Sequence, residues 1–198
     1  MKLPLSNGAH ALLCVAGLRQ GRSSSTKLEI DYLMSLSKSR EVLVEIGVFE
    51  GRTSLSLRQA MDDNARLFLI DPFPKGKYGF CSQYMIMRSM IRKCARGNLQ
   101  VIRDFSYNAV RCWHEKIDFI FWDAVVGDRE QVKRDFEDWS PFLASDGLYL
   151  LHGSRSTAAY PLKPGLGAIE FISTFEQDYP DFMIREQVET ISCIVRRN

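Results

Sequence analysis

The chain has 198 residues, enough for one domain with a sizeable core, and its composition is that of an ordinary globular protein, 45% hydrophobic and 25% charged. A net charge of +2 carries no strong nucleic-acid or membrane footprint, and no stretch approaches transmembrane length. The five cysteines (Cys14, Cys81, Cys94, Cys112, Cys193) are scattered, with no C-x-x-C pair or Cys/His cluster. That speaks against a structural zinc site and for reduced thiols in a cytoplasmic protein.

Met1-Lys2 followed by Ala9–Leu18 is too short and too interrupted, by Gly17, to read as a signal peptide; a surface segment or short helix is expected. Gly21–Thr26 (GRSSST) is a polar linker, so residues 1–26 form an N-terminal segment ahead of a single domain over 27–198. Thr26 and Glu29 have capping-box spacing, and Ile30, Leu33, Met34 and Leu36 give the amphipathic helix that follows, placed to cover the sheet or a ligand cleft. Val42–Ile46 is a short apolar run that breaks at Gly47, and beyond Gly51 the pattern turns helical through Leu55, Leu57 and Met61. A buried strand, a glycine turn and a helix start aim backbone N–H groups at whatever lies over the strand's carboxyl end. Glycine at 47 and 51 admits a close approach. The spacing fits neither a P-loop, with one residue too few and Arg52 in place of lysine, nor the G-x-G-x-x-G fingerprint of dinucleotide sites.

Arg66–Asp71 reads as a second strand ending in an acid, twenty residues after Gly51. Asp71 is placed to accept hydrogen bonds from two ribose hydroxyls, the alternative being a cap before Pro72. Phe73 follows, placed to face an adenosine, and Lys75–Gly79 is a lid or a solvated loop. Tyr84–Ala95 is a covering helix. Asn98–Arg103 is a third strand; Asp104 and Ser106 after it either read a purine amino group or cap a helix around Ala109–His114. Ile117–Asp123 is the most strand-like run, and Asp128 opens a helix through Val132, Phe136 and Trp139 that stops near Pro141. Gly147–His152 is a fifth strand, followed by a long loop, a helix over Leu166–Asp178, and two strands, Phe182–Glu186 and Thr190–Arg196. These alternations imply an α/β fold with a doubly wound, mostly parallel seven-stranded sheet and a late antiparallel strand.

In order along the chain, Glu45-x-Gly47-x-x-x-Gly51-x-Thr53, a strand into Asp71-Pro72-Phe73, a strand into Asp123, Val132–Leu143 (VKRDFEDWSPFL) and Asp146–His152 (DGLYLLH) resemble the small O-methyltransferase-like branch of the class I S-adenosylmethionine (SAM)-dependent methyltransferases. The resemblance implies a Rossmann-like, three-layer α/β/α domain, SAM as cofactor, and methyl transfer to a small hydroxylated molecule. A carboxylate at the end of the first strand suits a ligand carrying an ammonium and a sulfonium. By carry-over, Glu45, Gly47 and Gly51 contact the methionine end of SAM, Asp71 holds the ribose, Asp104 and Ser106 lie near the adenine, and Asp123 lies near the methyl-transfer centre. Two departures matter. Relatives often read D-G-D-H-S-Y where this chain has Asp123-Ala124-Val125-Val126-Gly127-Asp128, and Gly153 replaces an acid that often follows the fifth strand. Those acids help bind Mg²⁺ in metal-dependent members; Asp123 alone is a poor set for a hard cation, so no tightly bound metal is expected. His152 and Asp128 are the base candidates, against a locally bonded histidine and a helix N-cap. A catalytically silent SAM-binding regulator or partner subunit is the competing function, and a nucleotide- or NAD-binding α/β protein is disfavoured by the glycine spacing. Acceptor specificity falls to the N-terminal segment and the loops around Tyr78, Arg155 and Tyr160. A homodimer is left open, with Trp113, Tyr149 and Phe171 facing either a partner or the core.

Overall fold

A computed structural model describes residues 7–76, 79–125 and 127–197; Tyr78, one of the loop contacts named above, lies outside them. Seven strands form one sheet: β1 (Val42–Ile46), β2 (Arg66–Ile70), β3 (Asn98–Ile102), β4 (Ile117–Trp122), β5 (Leu143–Leu151), β6 (Phe182–Val188) and β7 (Ile191–Arg196). Their order is β3-β2-β1-β4-β5-β7-β6. β1 to β5 pair in parallel, and β7 enters antiparallel between β5 and β6, so that it alone runs against the rest. The expected doubly wound sheet with a late antiparallel strand is the one observed.

Side-chain alternation along the strands builds two cores. Val42, Val44 and Ile46 of β1, with Ile120 and Trp122 of β4, face helices α6 (Arg129–Trp139) and α7 (Gly167–Asp178). Leu43 of β1, with Phe119 and Phe121 of β4, faces α2 (Lys27–Ser37), α3 (Arg52–Ala60) and α4 (Ser82–Ile91). By the same period Glu45 belongs to the second face, under α3. Tyr149 and Phe171 are 1% exposed and belong to the first core, and Trp113 packs edge-on against Phe68 and Trp139. Tyr149 and Phe171 therefore belong to the core, and the half-buried Trp113 packs against it.

Local signals set the starts of α2 and α6. Thr26 and Glu29 form the reciprocal capping box of α2, and Asp128 caps α6 by accepting from the N–H groups of Glu130 and Gln131. Each such cap contributes about 1 kcal/mol. The helix expected over Ala109–His114 begins earlier, as the single turn α5 (Ser106–Ala109) continued by a 3₁₀ turn over Val110–Cys112. In the N-terminal segment α1 (Asn7–Val15) docks on α4, with Ala11 and Cys14 packed against Ile86 and Met90.

Candidate functional site

The sheet reverses its winding between β1 and β4, where a crevice opens at the strands' carboxyl ends. It measures about 480 Å³, and Gly47, Phe49, Asp71, Gln83, Phe105, Ser106, Tyr107, Asp123, Val125 and Gln131 are among the residues lining it. The glycine turn forms one wall. Gly47 has φ +87°, and a Cβ there would stand 2.3 Å from the Asp123 carbonyl oxygen, so only glycine lets the ends of β1 and β4 meet. Gly51, at φ +74°, is the N-cap of α3 and lies against Met87.

Beneath this turn Glu45 is 1% exposed. Its Oε2 has no hydrogen-bond partner, nor has the buried Ser54 hydroxyl that eases its charge from nearby. Burial, reinforced by the negative charges of Asp123 and Asp71, pushes the Glu45 carboxyl up to about 8. A buried carboxyl lacking a cation, under a turn built for close approach, is the chemistry a ligand ammonium group would complete.

Asp71 lines the crevice from the end of β2. Its Oδ2 accepts the N–H groups of Val48 (3.0 Å) and Phe49 (3.1 Å), and its Oδ1 accepts that of Phe73 (2.8 Å). The carboxylate thus staples the glycine turn to β2 and keeps acceptor capacity for hydroxyl donors, since two oxygens offer about four lone-pair sites. Phe73 departs from expectation. At φ +44° its side chain turns away from the crevice, is 1% exposed, and packs edge-on against Tyr84 in the core. Its part is structural, and no ligand base can reach it.

The residues after β3 divide. Ser106 lines the crevice, but its hydroxyl donates to Asp135 Oδ1 at 2.5 Å, with Trp122 Nε1 on the other oxygen at 2.8 Å. Asp104 lies outside the crevice-lining set; its Oδ1 accepts from Phe105 N and Asn108 Nδ2, and these bonds hold its carboxyl below the usual range. These bonds brace the entry to α5, whose N-cap is Phe105, and the Asp104 side chain does not line the crevice. What lines that end instead is Phe105, stacked on Tyr107 at 5.3 Å and 11°, with Gln83 and Gln131.

Asp123, at the end of β4, lines the crevice opposite the glycine turn. Its Oδ2 accepts the Ser24 hydroxyl at 2.9 Å, and its Oδ1 lies 2.8 Å from His152 Nδ1. That oxygen sits off the ring's N–H direction, leaving Nδ1 without a true hydrogen bond, so the contact is ionic. On the other side of the ring Glu29 Oε2 lies 3.6 Å from Nε2. Burial alone would lower the His152 proton affinity, but the two carboxylates outweigh it and raise the imidazole to about 10. With both carboxylates ionised the ring favours the imidazolium form, which has no lone pair with which to act as a general base. Asp128, the other base candidate, is the N-cap of α6 and does not line the crevice. Arg155 is exposed in the loop after β5, and Tyr160 is 46% exposed there.

Glu29, Phe105, Tyr107 and Ser24 were not singled out from the sequence as site residues. Only the capping-box spacing at Glu29 gave a local signal. Among the described residues no group of three or more His, Cys, Asp or Glu is disposed to hold a metal ion.

A crevice at the switch point of a sheet with this strand order, walled by a glycine turn over a buried acid and by a second acid one strand over, defines a class I SAM-dependent methyltransferase. The family model for a methyltransferase domain matches residues 44–154, more than half of the chain, and the protein belongs to that family, whose methyl donor is SAM. Solved structures share the fold at low identity. Cofactor-bound Rv0187 from MTB superposes with a TM-score of 0.71 at 13% identity, over 96% of this chain and 89% of that one. The Bacillus cereus O-methyltransferase in complex with SAH gives 0.67 at 14%, over 98% and 93%. TomG from Streptomyces achromogenes, an O-methyltransferase involved in tomaymycin synthesis and solved with SAM, gives 0.67 at 13%, over 99% and 92%. No curated protein matches the sequence.

Proposed function

We propose that the protein transfers a methyl group from SAM to a hydroxyl of a small molecule, without a tightly bound metal. The observation that carries this reading is the Asp123 carboxylate on the crevice wall, fixed by Ser24 and His152. The residues present fit the cofactor. Glu45 supplies the unpartnered carboxyl for the ammonium, Asp71 the acceptors for the ribose, and the Phe105–Tyr107 stack with Ser106 an apolar rest for the adenine. When bound, SAM would supply an electrophilic methyl group to an acceptor oxygen, the O–CH₃ bond forming as the S–CH₃ bond breaks and the neutral thioether leaves as S-adenosylhomocysteine. The chain's own residues position that acceptor, exclude water and take its proton. With His152 held as a cation, Asp123 is the group that receives the proton. Asp123 alone is a poor donor set for a hard cation.

The net charge of +2 and the crevice size favour a small-molecule acceptor over nucleic acid. Among the described residues no helix is long and apolar enough to cross a membrane. The free cysteines fit a cytoplasmic setting. A second reading, a SAM-binding regulator without turnover, is favoured by the locked state of His152. Titration with S-adenosylhomocysteine (SAH), followed by labelled SAM with a panel of catechols, phenols and hydroxy acids, separates the two. Binding with label transfer supports the enzyme, binding without transfer supports the regulator, and no binding refutes both.

A further inference from the structure

Glu29 is 0% exposed, yet its carboxyl is held down at about 2, well below the ordinary 4.5. Burial raises it, and the surrounding donors more than compensate. Its Oε1 accepts Thr190 N at 2.9 Å and Thr190 Oγ1 at 2.6 Å, and its Oε2 accepts Thr26 N at 2.8 Å while facing His152. Thr190 is itself pinned, its carbonyl accepting the N–H of Ser154. A fully hydrogen-bonded carboxylate therefore stands behind His152, and Asp123 stands in front of it on the crevice wall. A helix cap needs only one of these contacts. The second oxygen's reach to Thr190 and the approach to His152 do nothing for α2.

We propose that Glu29 is a positioning residue of the reaction site, acting through the His152 ring to fix the Asp123 carboxylate for the acceptor. The inference rests on the reading of Asp123 as the group that receives the acceptor's proton. The charged groups facing His152 are Glu29 from α2 and Asp123 from β4; the edge of Phe121, 6.2 Å between ring centres, completes its surroundings. With Glu29 ionised, His152 stays cationic, cannot compete for the acceptor proton, and draws Asp123 Oδ1 toward itself. Asp123 Oδ2, carrying the Ser24 bond, is then the oxygen presented to the crevice. Without the Glu29 charge the imidazolium has one counter-charge where it had two, and once neutral it no longer holds Asp123.

The test uses the full chain and Glu29→Gln. The protein has three histidines, so imidazole Cε1–H resonances followed by NMR from pH 5 to 9 are few, and His152→Gln assigns the one of interest. The wild-type His152 signal should stay at the imidazolium position throughout, whereas in Glu29→Gln it should titrate inside the window. SAH affinity should change by less than about threefold, and kcat for methyl transfer from labelled SAM to a turned-over panel acceptor should fall tenfold or more with KM for SAM unchanged. Glu29→Asp, which keeps the charge, should restore part of kcat. If Glu29→Gln fails to fold, Thr190→Val weakens the same carboxylate and should move the His152 titration and kcat in the same directions, less far. A wild-type His152 that titrates near 6.5, or a Glu29→Gln protein with unchanged spectrum and kcat, overturns the inference while leaving the methyltransferase reading intact. A wild type that binds SAH but methylates nothing refutes the functional reading, and the positioning role with it.

Discussion

Glu45 ties the cofactor site to proton uptake in a way that can be measured. Its carboxyl lies at about 8 in the ligand-free protein, against an ordinary 4.5. At pH 7 it is therefore about nine-tenths protonated. An ammonium group brought under the glycine turn favours the ionised form, so SAH binding at pH 7 should release close to one proton, about 0.9 at most. Isothermal titration in buffers of different ionisation enthalpy reads that number directly. The same displacement has a stability consequence. Because the folded value is raised, the contribution is fully present below about 4.5 and is lost as pH rises through about 8. At ~1.4 kcal/mol per tenfold change in proton affinity, the span from 4.5 to 8 corresponds to roughly 5 kcal/mol, an upper figure for a relaxing interior. Glu45→Gln should abolish proton release and remove this share of the pH dependence. It should also weaken SAH binding by roughly 10- to 150-fold, the loss of one charge-assisted hydrogen bond of about 1.5–3 kcal/mol. SAH binding with no proton released by wild type at pH 7, or with the same release from Glu45→Gln, would refute the argument.

Asp71→Ala should lower SAH affinity at least tenfold and cost about 1–3 kcal/mol in urea unfolding, since the N–H groups of Val48, Phe49 and Phe73 lose their acceptor. Gly47→Ala should be more damaging to folding. A left-handed alanine costs about 1–2 kcal/mol and the contact with Asp123 adds about 1–3 kcal/mol, so an unfolding loss below about 1 kcal/mol would contradict the geometry. EDTA should leave both SAH affinity and labelled methyl transfer unchanged; a loss restored by Mg²⁺ would show that Asp123 recruits a metal after all.

How much of this was readable beforehand follows from the range of each interaction. The β1 run, the break at Gly47 and the acids closing β2 and β4 are local patterns, and the sheet follows from them. Asp128 was readable as an N-cap because capping spans three residues. Phe73 was not readable. The residue before a proline ordinarily avoids the helical region and prefers extended backbone. Here the Asp71 side chain captures the Phe73 N–H and the chain turns left-handed, sending the ring into the core. Ser106 lines the crevice, but its hydroxyl is claimed by Asp135, 29 residues away, which no spacing announces. His152 was legible as a strand-end histidine and illegible as a cation, because that state depends on Glu29 and Asp123 arriving from two other elements.

The Glu29–Thr190 bond spans 161 residues. During synthesis, α2 and the first four strands leave the ribosome well before the β6–β7 turn exists. Until Thr190 arrives, Glu29 Oε1 lacks its two donors there, although Thr26 N and the Asp123–His152 pair are already in the chain. The full setting of Glu29 behind His152 is thus among the last parts of the molecule to be finished. A chain clipped before Thr190 keeps every residue of the glycine turn and Asp71 and loses two of the donors on Glu29.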